Sequence, residues 1–288
     1  MKILVTGNSM SYLSGQPLYC YELCRELKKQ GHDVAMLSNW QYPQDAEGYL
    51  LKENLLKAGV KIYSFSDNYI DNYDLIIASE LVSLPVTQAM PNIPVLNVVH
   101  SEYDCETPLP NTDQVIKYIC IRESIVEHIV QEHNIPPQKC QVIFNGVDRE
   151  RFKPRKKPKR DYYKIVVPCT LDKLREKFLN HLIDHASPDK RVFIFGTQFD
   201  AQLHQSPYVY IHPAKFHIEE EIATADEVTG ILFGRVNIEA WSCNVKTSSY
   251  HPDTLEYKVL PKPKNFDQLF NIKNVAKEMI NAFLSSKH

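Results

Sequence analysis

The feature that most constrains this chain is a rhythm. Short, nearly continuous apolar stretches recur at "KILVT" (2–6), "DVAMLS" (33–38), "VKIYSF" (60–65), "DLIIAS" (74–79), "IPVLNVVH" (93–100), "VIKYICI" (115–121) and "CQVIFN" (140–145). Between them lie segments with helical spacing. In "GQPLYCYELCRELKKQ" (15–30), Cys20, Leu23, Cys24 and Leu27 fall at i, i+3, i+4 and i+7, and Gly31 stands where a helix should stop. "SIVEHIVQEH" (124–133) puts Ile125, Ile129 and Val130 on one side. Strands without polar alternation must be buried on both faces, which a parallel sheet covered by helices achieves.

The rhythm is interrupted once. "RFKPRKKPKRD" (151–161) has two prolines, no apolar periodicity and six basic residues between 153 and 160. It reads as a solvated linker that also offers a surface for weak peripheral membrane contact. Beyond it strands are expected at 163–169, 191–196, 208–212 and 228–233, and helices at 174–186, 218–225 and 236–243. A long closing helix over 266–285 carries Leu269, Ile272, Ala276, Met279, Ile280 and Phe283. The fold class is therefore α/β, with two doubly wound, Rossmann-like parallel-sheet domains in tandem. The first spans 1–152, the linker 153–162 and the second 163–265, and 266–288 crosses back to the first domain. Such pairs bind ligands between them, at the carboxyl ends of the strands.

Several classes are disfavoured. A net charge of −2 does not suit a nucleic-acid binder. No apolar run reaches 18 residues and the N-terminal one is too short for a signal peptide, so a cytoplasmic protein is expected. Seven cysteines without a C-x-x-C pattern point to reduced thiols, with no metal site. After the first strand, a dinucleotide fingerprint would need glycines at 9 and 12, where Ser9 and Tyr12 stand. No phosphate-binding G-x-x-x-x-G-K-[ST] loop and no G-x-S-x-G elbow occurs.

Three stretches carry the chemistry. "KCQVIFNGVDRERFKP" (139–154) is a buried strand, an Asn-Gly turn and an acidic loop running into the linker. It resembles the segment that ends the first domain of family 4 glycosyltransferases of the GT-B fold, with Asn145, Gly146, Val147, Asp148, Phe152 and Pro154 in place. "SGQPLYCYELCRELKKQGHDVAMLS" is similar to that family's first helix and second strand, with the usual glycine pair reduced to Gly15. "FGRVNIEAWSC" (233–243) resembles its nucleotide-binding helix.

The resemblance implies transfer of a sugar, usually a hexose, from a nucleoside diphosphate sugar with retention of configuration. The donor would be a UDP- or GDP-sugar and the acceptor a hydroxyl of a glycan or lipid-linked sugar, with neither cofactor nor metal ion. It places His100 against the donor sugar. Gly15, Gly234 and Arg235 would meet the donor at helix N-termini, and Arg175 and Lys177 would neutralise the leaving diphosphate. Thr170 stands where the family has an arginine, and Lys173 competes for the basic role. Glu239 would accept the ribose hydroxyls. The first carboxylate of the family's E-x7-E frame is missing, since Ile231 occupies it. Glu102, Asp104 and Glu106 form an acidic loop suited to acceptor hydroxyls. The altered frame also admits another expectation: a catalytically degenerate protein of the same fold that binds nucleotide or glycan, or partners an active transferase.

Overall fold

The computed structural model describes residues 1–41, 47–79, 82–102 and 109–286. The first sheet contains β1 (Lys2–Ser9), β2 (Asp33–Asn39), β3 (Lys61–Tyr63), β4 (Leu75–Ser79), β5 (Val95–Val99), β6 (Val115–Cys120) and β7 (Cys140–Val142). Its order is β3-β2-β1-β4-β5-β6-β7, and every pairing is parallel. The second holds β8 (Tyr163–Pro168), β9 (Lys190–Phe195), β10 (Val209–His212), β11 (Glu227–Ile231), β12 (Lys246–Tyr250) and β13 (Tyr257–Leu260), in the order β10-β9-β8-β11-β12-β13. Only β13 runs antiparallel among its described pairings. In both sheets the strand order reverses beside the first strand of the unit, which opens a crevice at the carboxyl ends there.

The helices are α1 (Gly15–Lys29), α2 (Tyr49–Lys57), α3 (Ser83–Ala89), α4 (Glu123–Glu132), α5 (Lys173–Asp184), α6 (Glu219–Ala223), α7 (Arg235–Ser242), α8 (Phe266–Phe270) and α9 (Ile272–Ser285). Gly31 follows α1 at φ +88, a left-handed conformation that lets His32 N–H return to the Leu27 carbonyl. Strand β12 escapes a hydropathy reading because its buried residues include Thr247, Ser248 and Ser249. The Thr247 and Ser248 hydroxyls are satisfied internally: Thr247 Oγ1 donates to the Val228 carbonyl at 2.9 Å and Ser248 Oγ to Glu227 at 2.6 Å.

The closing segment is two helices rather than one. Phe266 and Phe270 of α8 pack into the second domain with Val228, Ile238 and Trp241. Ile272, Val275, Ala276, Met279 and Phe283 of α9 join the first-domain core. The break falls at Asn271, whose side chain accepts from Lys273 N–H and caps α9. There the chain pairs with the Asn-Gly turn: Val147 N–H donates to Phe270 O at 2.8 Å and Ile272 N–H to Val147 O at 3.2 Å. A Cβ on Gly146 would stand 2.7 Å from Ile272 Cα, so this close approach requires glycine. The basic linker leaves the turn with Lys153–Lys159 exposed, while Phe152 is buried in the second domain.

Candidate functional site

The carboxyl ends of β4 and β5 present Ser79 and His100 at the domain boundary. His100 Nε2 lies 3.3 Å from Ser79 Oγ. Its ring meets Tyr19 of α1 edge to face, with centroids 4.9 Å apart. Burial, aided by the nearby Arg122 guanidinium, lowers the imidazole pKa to about 3. His100 is therefore a neutral imidazole throughout the physiological range.

Arg122 precedes α4 and gave no sequence signal. Its Nε donates to Glu102 Oε1 at 3.0 Å, and Nη1 reaches the Phe233 carbonyl of the second domain at 3.2 Å. Burial alone would raise the Glu102 carboxyl, but hydrogen bonds from Arg122 and Ser124 hold it below its usual range. Glu102 is thus engaged by the first domain's own donors. Asp104 and Glu106 lie outside the described residues.

On the second domain, β11 ends at Ile231 and the chain turns through Leu232 into α7. Leu232 sits at φ +53, in the left-handed region that non-glycine residues adopt at a cost of roughly 1–2 kcal/mol. Phe233 anchors the turn, its ring 5.4 Å from that of Trp241 and 6.2 Å from that of Phe270. Gly234 N-caps α7 and its N–H donates to Asn237 Oδ1 at 2.8 Å. Gly234 is extended (φ −154), and no heavy atom lies within 4 Å of a Cβ built on it; the same is true around Gly15, the first residue of α1. Packing within the protein therefore does not demand glycine at either helix start.

Glu239 lies one turn further along α7, and its surroundings are not those of a free acceptor. Its side chain is 3 % exposed, and Oε1 accepts from Arg235 Nε at 2.7 Å. Arg235 Nη2 lies 2.7 Å from Glu22 Oε1 on α1 of the first domain. Burial raises the Glu239 carboxyl, the Arg235 charge opposes that shift and Glu22 adds to it. Arg235, placed by sequence at the helix start beside the donor, is thus buried among carboxylates.

The other two basic candidates do not converge. The Arg175 guanidinium pairs with Asp172, the N-cap of α5, whose carboxylate also accepts from Arg175 N–H at 3.1 Å. Lys177 Nζ donates to the Asp253 carbonyl. Two residues apart on one helix, they project to different sides. Lys173 pairs with Glu176 at 2.7 Å, and Thr170 Oγ1 donates to Asp172 at 2.6 Å. Of the candidates, the structure brings together Arg235 and Glu239, adds Glu22 and Arg122, and sets His100 on the facing domain.

Among the described residues no group of three or more His, Cys, Asp or Glu could hold a metal ion, and no helix is long and apolar enough to cross a membrane. The described cysteines 20, 24, 120, 140, 169 and 243 are free thiols; Cys105 lies outside the described residues.

Comparison with known proteins follows the same division. The model of Glycosyltransferase Family 4 matches residues 13–151, which is the first domain with its Asn-Gly turn. No curated protein matches the chain. Among solved structures, Anabaena HepE in complex with UDP-glucose is similar at a TM-score of 0.74 and 14 % identity, over 99 % of this chain and 100 % of that one. Sucrose-phosphate synthase from Thermosynechococcus elongatus has a TM-score of 0.65 at 13 % identity, over 99 % and 98 %. The lipopolysaccharide outer core galactosyltransferase WaaB has 0.61 at 13 %, over 99 % of each chain. The chain has the two-domain GT-B architecture, and through its first domain it belongs to the family 4 glycosyltransferases.

Proposed function

We propose that the protein transfers a hexosyl group from a UDP- or GDP-sugar to a hydroxyl of a glycan or lipid-linked acceptor. The transfer would retain the anomeric configuration and need no metal ion. The observation that carries this reading is the facing of His100 and the start of α7 across one boundary, with Arg122 in contact with both sides. In this reading the neutral His100 imidazole hydrogen-bonds the donor sugar. The open helix starts at Gly234 and Gly15 admit the diphosphate, with Arg175 and Lys177 supplying charge once released from Asp172 and the Asp253 carbonyl. Glu239, held ionised by Arg235, receives the ribose hydroxyls. HepE, crystallised with UDP-glucose, supports the choice of a UDP-sugar for the first trial.

The test is release of nucleoside diphosphate from UDP-, GDP-, ADP- and CMP-sugars by the purified protein, with the product anomer assigned by NMR. Turnover of one donor with retention supports the proposal. A second reading, a degenerate relative that only binds nucleotide or glycan, is favoured by Ile231 in the sugar-facing position and by the engagement of Glu239 with Arg235. Thermal stabilisation by a nucleotide without any donor turnover would select it.

A further inference from the structure

We propose that Glu22 is a positioning residue: it ties α1 of the first domain to Arg235 of the second and so holds His100 against the donor side. The inference rests on the transferase reading for its consequence, but not for its geometry. Five charged groups meet at the boundary. Arg235 bonds Glu239 on its own helix and pairs with Glu22 at 2.7 Å. Arg151, on the hinge, pairs with Glu219 of α6 at 3.0 Å and lies 4.0 Å from Glu22. The Glu22 and Arg235 side chains are 2 % and 4 % exposed.

The distribution of these charges among elements is what matters. Arg235 with Glu239, and Arg151 with Glu219, are two balanced pairs that persist without the first domain's sheet and helices. Glu22 is the member contributed by a first-domain helix. It adds a third carboxylate to two guanidinium groups, so it serves neither domain's internal balance. In an isolated first domain it would face water; in the closed molecule it is fixed between two cations. A carboxylate is buried at such a place only where the partners hold it, and breaking such a pair is relieved by letting water in. Here water can enter without unfolding a core, because the two partners stand on different domains. The same helix carries Tyr19, three residues earlier, whose ring abuts His100. A pull on Glu22 is therefore a pull on the helix that packs against the candidate reacting group.

The test compares ligand-free parent protein with E22Q and E22K by small-angle X-ray scattering and by turnover. E22K places a cation against two guanidinium groups, and E22Q removes the charge at nearly constant shape. The expected result is an expanded scattering profile for E22K, a smaller expansion for E22Q, and unchanged circular dichroism for both. Donor turnover by E22Q should fall about tenfold. Affinity for free UDP or GDP should stay within about threefold, since the nucleotide contacts lie on the second domain. Variants that lose thermal stability but scatter like the parent would overturn the proposal, leaving Glu22 a structural residue only. Should E22K fail to fold, E22Q is judged by the same criterion. If the parent turns over no donor and binds no nucleotide, the transferase reading falls, and the scattering comparison still decides the tie.

Discussion

His100 offers a test that does not depend on knowing the donor. Its folded pKa of about 3 lies below the 6.5 of a free imidazole, so the unfolded chain takes up the proton first. This stability is complete above pH 6.5 and drains away as the pH falls toward 3. At pH 5 the loss from this one group is about 2 kcal/mol. Urea midpoints at pH 7 and pH 5 should therefore diverge more for the parent than for H100Q; equal divergence would show that the imidazole is not shielded from its proton. For catalysis, H100A should lower turnover at least roughly tenfold, about 1.4 kcal/mol, and leave nucleotide affinity nearly unchanged. E239A should weaken UDP or GDP by about ten- to a hundredfold on isothermal titration, the scale of a lost charge-assisted bond. Parental affinity would mean that Glu239 serves only to hold Arg235. His100, Gly234 and Glu239 were legible because each stands at a fixed offset from a strand end or an Asn-Gly-like landmark. Glu22 and Arg122 were not, because their partners lie 213 positions (22 to 235) and 111 positions away. A Glu within "CYELC" looks like one on a solvated helix face until the second domain is laid over it.

Elements show where packing overrides local preference. Leu232 is held at φ +53 between Ile231 and Gly234. L232G should relieve that strain and stabilise the protein by up to about 1 kcal/mol, read as a raised midpoint in urea. A lowered midpoint would mean that the leucine side chain contributes more than its backbone costs. Gly146 behaves oppositely. An alanine there meets Ile272 Cα at 2.7 Å, so G146A must push α9 away from the turn, at about 1–3 kcal/mol. The apolar strands and α1 could be read from periodicity alone because burial on both faces leaves that mark. α2, α3 and β12 could not: β12 is built of hydroxyl residues satisfied by Glu227, Val228 and Asn237. The break at Asn271 was hidden because the apolar spacing continues across it, although its two sides face different domains.

At the scale of the molecule, two domains and a polar linker were visible in the sequence as an interrupted rhythm, and the Asn-Gly segment marked where the first ends. The division of the closing segment between the two cores was not, since it is fixed by what α9 covers. Five side chains of α9 complete the first-domain core. A chain ending at Phe270 would uncover that apolar surface, and it should be recovered mainly as aggregate; a soluble monomer with parental thermal stability would show that α9 is dispensable.

The backbone passes from one domain to the other twice, once after Val147 and once at Asn271, and at that place the two passages are hydrogen-bonded to each other. Two separate tethers would permit twisting and sliding as well as opening. Two tethers clamped side by side act as a single pivot, like a door whose pins are cast in one plate. The large rearrangement left to the molecule is a swing about one axis. Reclosing then needs no search over orientations, and Glu22 returns to Arg235 along the same arc each time.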